Sequence, residues 1–260
     1  MAYANSKGTQ IYYETHGGGP AILFVHGSGG HHVAWYRQVA YLSQWYKVVT
    51  VDLRGFGNSD PVEGGPDSLD FVDDIEAVLA AADINRCAIL GQSIGAAPAL
   101  RLALRRPDLV SGVILAHSVG GISDPELATL VKANRHEAEK LPVIDRLLTP
   151  QFQSGQPALK FLFQQMGTFN HAKMQDLRNL QAQGPTAAEV AASGVGIHFL
   201  AGERDAVLRP DTVRQAHRLL PASTLTIVPN GPHSLYWEMP DVFNAAVHQI
   251  LKQVYPETAS

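Results

Sequence analysis

The feature that most limits what this chain can fold into is a set of short, unbroken apolar runs. QIYYE begins at Gln10, AILFVH at Ala21, VVTVD at Val48, CAILG at Cys87, GVILAH at Gly112, IHFLAG at Ile197 and LTIVPN at Leu225. A strand with one face in water alternates apolar and polar residues, because successive side chains point to opposite sides; a run that is apolar throughout reads as a strand covered on both faces. Most of these runs are of the second kind, which predicts a mainly parallel central sheet.

Helical patterns separate the runs, over residues 35–42, 71–82, 94–105, 210–220 and 241–254. Strand alternating with helix predicts an α/β fold with helices on both faces of the sheet, in which loops at the carboxyl ends of strands carry the chemistry. The alternation lapses between about residues 120 and 194, where VKANRHEAEKL, ALKFLFQQMG and AKMQDLRNLQAQG read as helices, the last stopped by Gly184 and Pro185. The expected organisation is a core of residues 1–119 and 195–260 with a helical cap of residues 120–194 inserted over the strand ends.

A chain of 260 residues with net charge -4 and no long basic run lacks the electrostatic footprint for nucleic acid or for an anionic membrane surface. No apolar stretch reaches the ~18 residues of a membrane span. The opening MAYANSKGTQ lacks the basic start and apolar core of a secretory signal, so a cytoplasmic location is expected. The single cysteine, Cys87, has no internal disulfide partner and sits inside an apolar run, as a buried strand residue would. A small-molecule partner fits this composition, and oligomeric state is left open.

The stretch LGQSIGA follows the run CAIL directly. Gly91, Ser93 and Gly95 make G-x-S-x-G, the pattern of a sharp strand-to-helix turn that holds its central residue in strained backbone geometry and leaves no room for flanking side chains. The helix behind Ser93 turns its free amides and positive dipole end towards the turn, which suits a developing oxyanion. Upstream, AILFVHGSGG sets Gly27, Ser28, Gly29 and Gly30 after another buried strand, where the backbone N–H groups of Ser28 and Gly29 can join that of Ile94 as an oxyanion hole.

A carboxylate, Asp205, follows the run IHFLAG, and a histidine, His233, follows LTIVPN after the turn residues Asn230, Gly231 and Pro232. Taken singly these have ordinary explanations, a turn-forming aspartate and one histidine among eleven. Together, all at strand ends and in the order Ser, Asp, His, they point to nucleophilic catalysis. A serine hydroxyl needs a neighbouring base to accept its proton, which is the role expected of His233, while Asp205 would fix the imidazole tautomer.

On G-Q-S-I-G, H-G-S-G-G, G-P-H and the loop DLRGFGNSD at residues 52–60, the chain resembles the α/β-hydrolase fold superfamily over nearly its full length. The resemblance implies a structural loop in which Asp52 and Arg54 tie strand to loop. It also implies a hydrolase needing no cofactor or metal, cleaving a small carboxylic ester or lactone through an acyl-enzyme. A nucleophilic aspartate, as in epoxide hydrolases and haloalkane dehalogenases, is set aside because Ser93 holds that place. His31 and His32 are adjacent rather than at metal-ligand spacing and are expected to line the entrance.

The insertion supplies Phe161, Leu162, Phe163, Met166 and Phe169. Gln92, Phe161, Met166 and Trp237 are taken as pocket-lining candidates, although such an apolar stripe is more often helix packing. An alternative is similarity to hydrolases of carbon–carbon bonds in ring-fission diketones, which share H-G-S-G and an aromatic soon after the histidine, here Tyr236 or Trp237. Those enzymes carry asparagine where this chain has Gln92, and a cap arginine, for which Arg135, Arg146 and Arg178 are candidates. A third reading is a ligand receptor of the same fold with slow or no turnover.

Overall fold

The computed structural model describes residues 2–256. Eight strands form one sheet: β1 (Ala2–Ser6), β2 (Thr9–His16), β3 (Ala21–Val25), β4 (Lys47–Val51), β5 (Cys87–Gln92), β6 (Val110–Ala116), β7 (Gly196–Gly202) and β8 (Thr224–Val228). Their order across the sheet is β1-β2-β4-β3-β5-β6-β7-β8. β1 and β2 pair antiparallel, as do β2 and β4; the remaining pairings are parallel. β1 lies at the edge, and only Ala4 and Ser6 of it are buried, so AYANS carries no apolar run and no sequence signal.

Alternate residues of each central strand feed opposite layers, which is why the runs are apolar throughout. Leu23, Val25, Ile89, Val113, Leu115 and Phe199 pack beneath the helices Phe71–Ala81, Ala96–Arg105 and Pro210–Leu219. Ile22, Phe24, Ala88, Leu90, Ile114 and Leu200 face the other way, under the helices Tyr36–Leu42 and Pro240–Val254. Cys87 is fully buried in β5, where desolvation pushes its thiol up to about 12. Among the described residues no helix is long and apolar enough to cross a membrane.

Between β6 and β7 run the helices Pro125–Glu139, Val143–Leu147, Pro150–Gly155, Pro157–Met166 and Ala187–Ala192. The helix expected over residues 172–184 does not form; only a short 3-10 turn, Met174–Asp176, is present. The backbone there spends its hydrogen bonds on the neighbouring loop instead. Ala172 N donates to Gly55 O (2.7 Å), Arg178 N to Pro66 O (2.9 Å), and Arg178 O accepts from Ser68 N (3.1 Å). Asn179 is left-handed (φ 54°), and Leu177 and Leu180 pack on the core. Apolar spacing alone does not distinguish this lashed segment from a helix.

The parallel strands deliver the chemistry-bearing residues to one edge of the sheet. His26 follows β3, Ser93 follows β5, His117 follows β6, and Asp205 and His233 lie in the loops after β7 and β8. Two buried polar groups lock the β3 and β4 ends together. His26 Nδ1 lies 2.7 Å from Gly27 O, and its Nε2 accepts from Leu53 N (3.0 Å), so the neutral ring is used on both sides. Asp52 accepts from Asn58 N (2.8 Å) and pairs with His32 Nδ1 (2.8 Å). Arg54 Nε donates to Asp74 Oδ2 on the helix Phe71–Ala81 (2.7 Å). The expectation that Asp52 and Arg54 tie strand to loop therefore has a physical form.

The side chains of Arg54 and Asp74 are 8% and 0% exposed. Removing Asp74 leaves Arg54 with only the part-exposed Asp70 (3.0 Å) as a counter-charge, so Asp74→Ala is expected to destabilise the protein by about 3 kcal/mol, the low end for a broken buried pair, read as a lower urea midpoint. Burial lowers the His26 pKa to about 4 from 6.5. Between those values the unfolded chain binds a proton that the folded one refuses, so stability is complete above the unfolded value and falls as pH drops towards 4. Urea titrations at pH 7, 6, 5 and 4 should show a loss on the order of 3 kcal/mol from this group. His26→Gln, less stable at pH 7, should lack that share of the slope.

Candidate active site

β5 ends extended at Gln92 (φ -100°, ψ 130°), and the next residue, Ser93, is left-handed (φ 53°). A 3-10 turn, Ser93–Gly95, then leads into the helix Ala96–Arg105. The reversal is tight enough to fix the residue types on either side. A Cβ on Gly91 would lie 2.5 Å from Ala96 Cα, and one on Gly95 2.6 Å from Val25 O and 2.8 Å from His26 O. Neither glycine has positive φ; both are needed for close approach, while the strained backbone belongs to the serine itself. Ser93 is part-exposed between buried neighbours, and its hydroxyl bonds to no other described residue.

The glycine loop arrives from β3. Gly30 N closes a turn onto Gly27 O (3.0 Å), which leaves the amides of Ser28 and Gly29 at its tip with no acceptor among the described residues. A Cβ on Gly27 would lie 3.3 Å from Ser93 Cβ and would also clash with the Gln92 amide, so this loop passes directly over the elbow. Ile94 opens the turn, where helical amides have no intrahelical partner. The glycine loop and the start of the 3-10 turn thus both carry backbone donors without an acceptor among the described residues.

Asp205 and His233 are brought together by the backbone of their own loops. Gly202, at the end of β7, packs against the Gly231 carbonyl with no room for a side chain, and Arg204 N donates to Gly231 O (2.9 Å). Asp205 Oδ1 accepts from Val207 N and Leu208 N, each at 2.8 Å. His233 Nδ1 reaches both oxygens, at 3.0 and 2.9 Å. The carbonyl of His233 lies 3.5 Å from Gln92 Nε2, beside the residue that precedes the serine. Both side chains are almost wholly buried.

A residue that sequence reasoning missed completes the carboxylate's shell. His117 Nδ1 lies 3.0 Å from Asp205 Oδ2, and neither side chain is exposed. Burial alone would raise the Asp205 carboxyl; the facing His233 and the hydrogen bonds from His117 and His233 outweigh it and hold the group well below the usual carboxylate range. A persistent carboxylate accepts only, so both imidazoles must carry their proton on Nδ1. That leaves Nε2 as the basic nitrogen of His233.

The pocket candidates separate. Gln92, Met166 and Trp237 are buried, and Phe163 packs edge-on against Trp237 with ring centroids 5.4 Å apart. Phe161 is 64% exposed. Residue 167 abuts the glycine loop, since a Cβ there would lie 3.4 Å from Gly29 O, and Asn170 Nδ2 donates to Gly30 O (3.3 Å). A cavity of about 500 Å³ between Gly55, Gly65, His171 and Arg178 shares no residue with the serine site.

Two clusters, His31–His32–Asp52 and His117–Asp205–His233, place metal-type ligand atoms within 4.8 Å of one another. In each, the aspartate's oxygens already accept from backbone amides and imidazole. One imidazole nitrogen in each cluster, His31 Nε2 and His117 Nε2, is buried with no hydrogen-bond partner among the described residues.

Comparison with known proteins adds lineage to this geometry. "Putative carbamate hydrolase RutD" of Cronobacter turicensis is 30% identical over 254 residues, covering 92% of this chain and 93% of that protein. Among solved structures, an esterase from Thermogutta terrifontis superposes with a TM-score of 0.82 at 22% identity, covering 98% of each chain. The enol-lactonase of Burkholderia xenovorans LB400 superposes with a TM-score of 0.79, also at 22% identity, over 96% of this chain and 100% of that one. Residues 22–246 match the profile described as the alpha/beta hydrolase family, and the chain belongs to that family.

Proposed function

We propose that this enzyme is a serine hydrolase that cleaves a small, uncharged carboxylic ester or lactone through an acyl-enzyme. The observation that carries the reading is the Asp205–His233 pair, hydrogen-bonded through Nδ1, with the His233 carbonyl 3.5 Å from the side chain of Gln92, the residue before a left-handed serine at a strand-to-helix turn. His233 Nε2 takes the proton from Ser93 Oγ as the hydroxyl adds to the substrate carbonyl. The carbonyl oxygen becomes an oxyanion against the amides of Ile94 and of Ser28 or Gly29. His233 then gives its proton to the departing alkoxide, which in a lactone stays tethered to the acyl group. Water, deprotonated by the same nitrogen, releases the acid and restores the serine.

In this reading residues 120–194 cap the site, with Met166 and Phe163 over the glycine loop and Trp237, and with Gln92 bordering the acyl group. The carbon–carbon alternative wants a cation for a substrate carboxylate. The three arginines offered for it are engaged elsewhere, Arg135 and Arg178 at exposed positions and Arg146 half-buried: Arg135 Nε on Glu139 (2.9 Å), Arg146 Nε on Leu141 O (2.8 Å) and Arg178 Nε on Gly65 O (3.2 Å). That disposition favours an uncharged acyl group.

The test is hydrolysis of p-nitrophenyl esters from acetyl to longer chains, together with small lactones followed by acid release. Ser93→Ala should lower kcat by roughly 10⁴- to 10⁶-fold, and a fluorophosphonate should label the wild type at Ser93 alone. Full biological activity in Ser93→Ala would instead support the receptor reading. Gly95→Ala should also lose turnover, because the added methyl group drives the helix off the β3 carbonyls; Gly18→Ala, where a Cβ meets nothing within 4 Å, should leave kcat unchanged.

A further inference from the structure

We infer that His117 is a positioning residue for the proposed triad, holding the Asp205 carboxylate in the plane from which it orients His233; the inference rests on the serine-hydrolase reading above. His117 follows β6 directly, and its backbone is left-handed (φ 54°), a conformation that L side chains rarely adopt. Its amide is tied to Leu200 O (2.8 Å), so the main chain still belongs to the sheet while the side chain turns to the loop after β7. The ring is fully buried and edge-on to His233, with centroids 5.5 Å apart.

The hydrogen-bond inventory gives the ring its role. With Nδ1–H donated to Asp205, Nε2 is a bare acceptor, buried and without a partner. An apolar side chain would fill this space without an orphaned nitrogen, so the bond to Asp205 is the ring's one polar return. On the carboxylate, the amides of Val207 and Leu208 both hold Oδ1. Among the described residues only the two imidazoles reach Oδ2. Without His117 the Oδ2 side of the carboxylate keeps His233 as its one donor, and the carboxylate plane, held at Oδ1 by the two amides and by His233 Nδ1 (3.0 Å), is free to tilt away from the orientation in which it grips the imidazole.

The test compares two substitutions that both tolerate left-handed backbone. His117→Gly removes the donor, whereas His117→Asn keeps an N–H near the position of Nδ1. Turnover of the best p-nitrophenyl ester should fall roughly 10- to 100-fold in kcat for His117→Gly with KM nearly unchanged, and return to within a few-fold of wild type in His117→Asn. Equal losses in the two variants, or none in either, would overturn the role.

A second readout uses the unaltered protein. Its proton spectrum in water should contain downfield, exchange-protected imidazole N–H signals from His117 and His233 besides those of His26 and His32, and one of them should vanish in His117→Asn; a variant spectrum that loses none would also overturn it. Ser93→Ala, assayed in parallel, separates the two claims. Undiminished hydrolysis there defeats the serine mechanism itself, whereas loss in Ser93→Ala beside wild-type rates in both His117 variants defeats only this inference.

Discussion

The active edge depends on one steric contact, the approach of the Gly95 backbone to the carbonyls of Val25 and His26 at the end of β3. That contact seats the helix Ala96–Arg105 against the centre of the sheet and obliges the chain to reverse within Ser93–Gly95. From it follow the left-handed serine and the narrow gap at residue 27, where a Cβ would clash with Gln92. Ser93 and the glycine loop are positioned by the same backbone crossing, so neither can shift without the other. A flexible side-chain contact could not impose that, because a rotamer change would relieve it.

Around this crossing, buried polar groups are satisfied in ways that leave little freedom. His26 spans Gly27 O and Leu53 N, Asp52 spans His32 and Asn58, and Arg54 reaches across to Asp74. The first two link the β3 and β4 ends, and the third ties the loop after β4 to the helix Phe71–Ala81. The segment between β6 and β7 is fastened onto these same loops through Asn170 to Gly30 and Ala172 to Gly55. Residues 166–172 are therefore held by the loop that borders Ser93, and movement of the helices further out need not disturb the site.

Much of this was legible in the sequence, for identifiable reasons. Unbroken apolar runs reported a sheet buried on both faces because alternate residues of β3, β5, β6 and β7 do enter different layers. Gly91 and Gly95 were legible because close backbone approach leaves a compositional trace, and Asp205 and His233 because their strand ends mark them. β1 was not, since an edge strand buries only alternate residues. The segment 172–184 misled because spacing of apolar residues registers burial, not which groups receive the backbone hydrogen bonds. His117 stood at a strand end in plain view, but its partner lies 88 residues away and no local pattern pairs the two.

β5 and β6 are adjacent and parallel, with Gln92 paired to Ala116. The residues that follow, Ser93 and His117, are thus neighbours on the sheet edge, and both adopt left-handed backbone, at φ 53° and 54°. Such a conformation costs roughly 1–2 kcal/mol for an L residue, and two side by side imply that the surrounding packing holds both in place. The same backbone device serves opposite ends. At Ser93 it lifts a hydroxyl clear of the strand into a part-exposed position; at His117 it folds an imidazole down into the fully buried space beside Asp205. The Asp205 carboxylate is thereby supported from the strand next to the one that carries Ser93, so Asp205 and Ser93 share one rigid frame although 112 residues separate them in the chain.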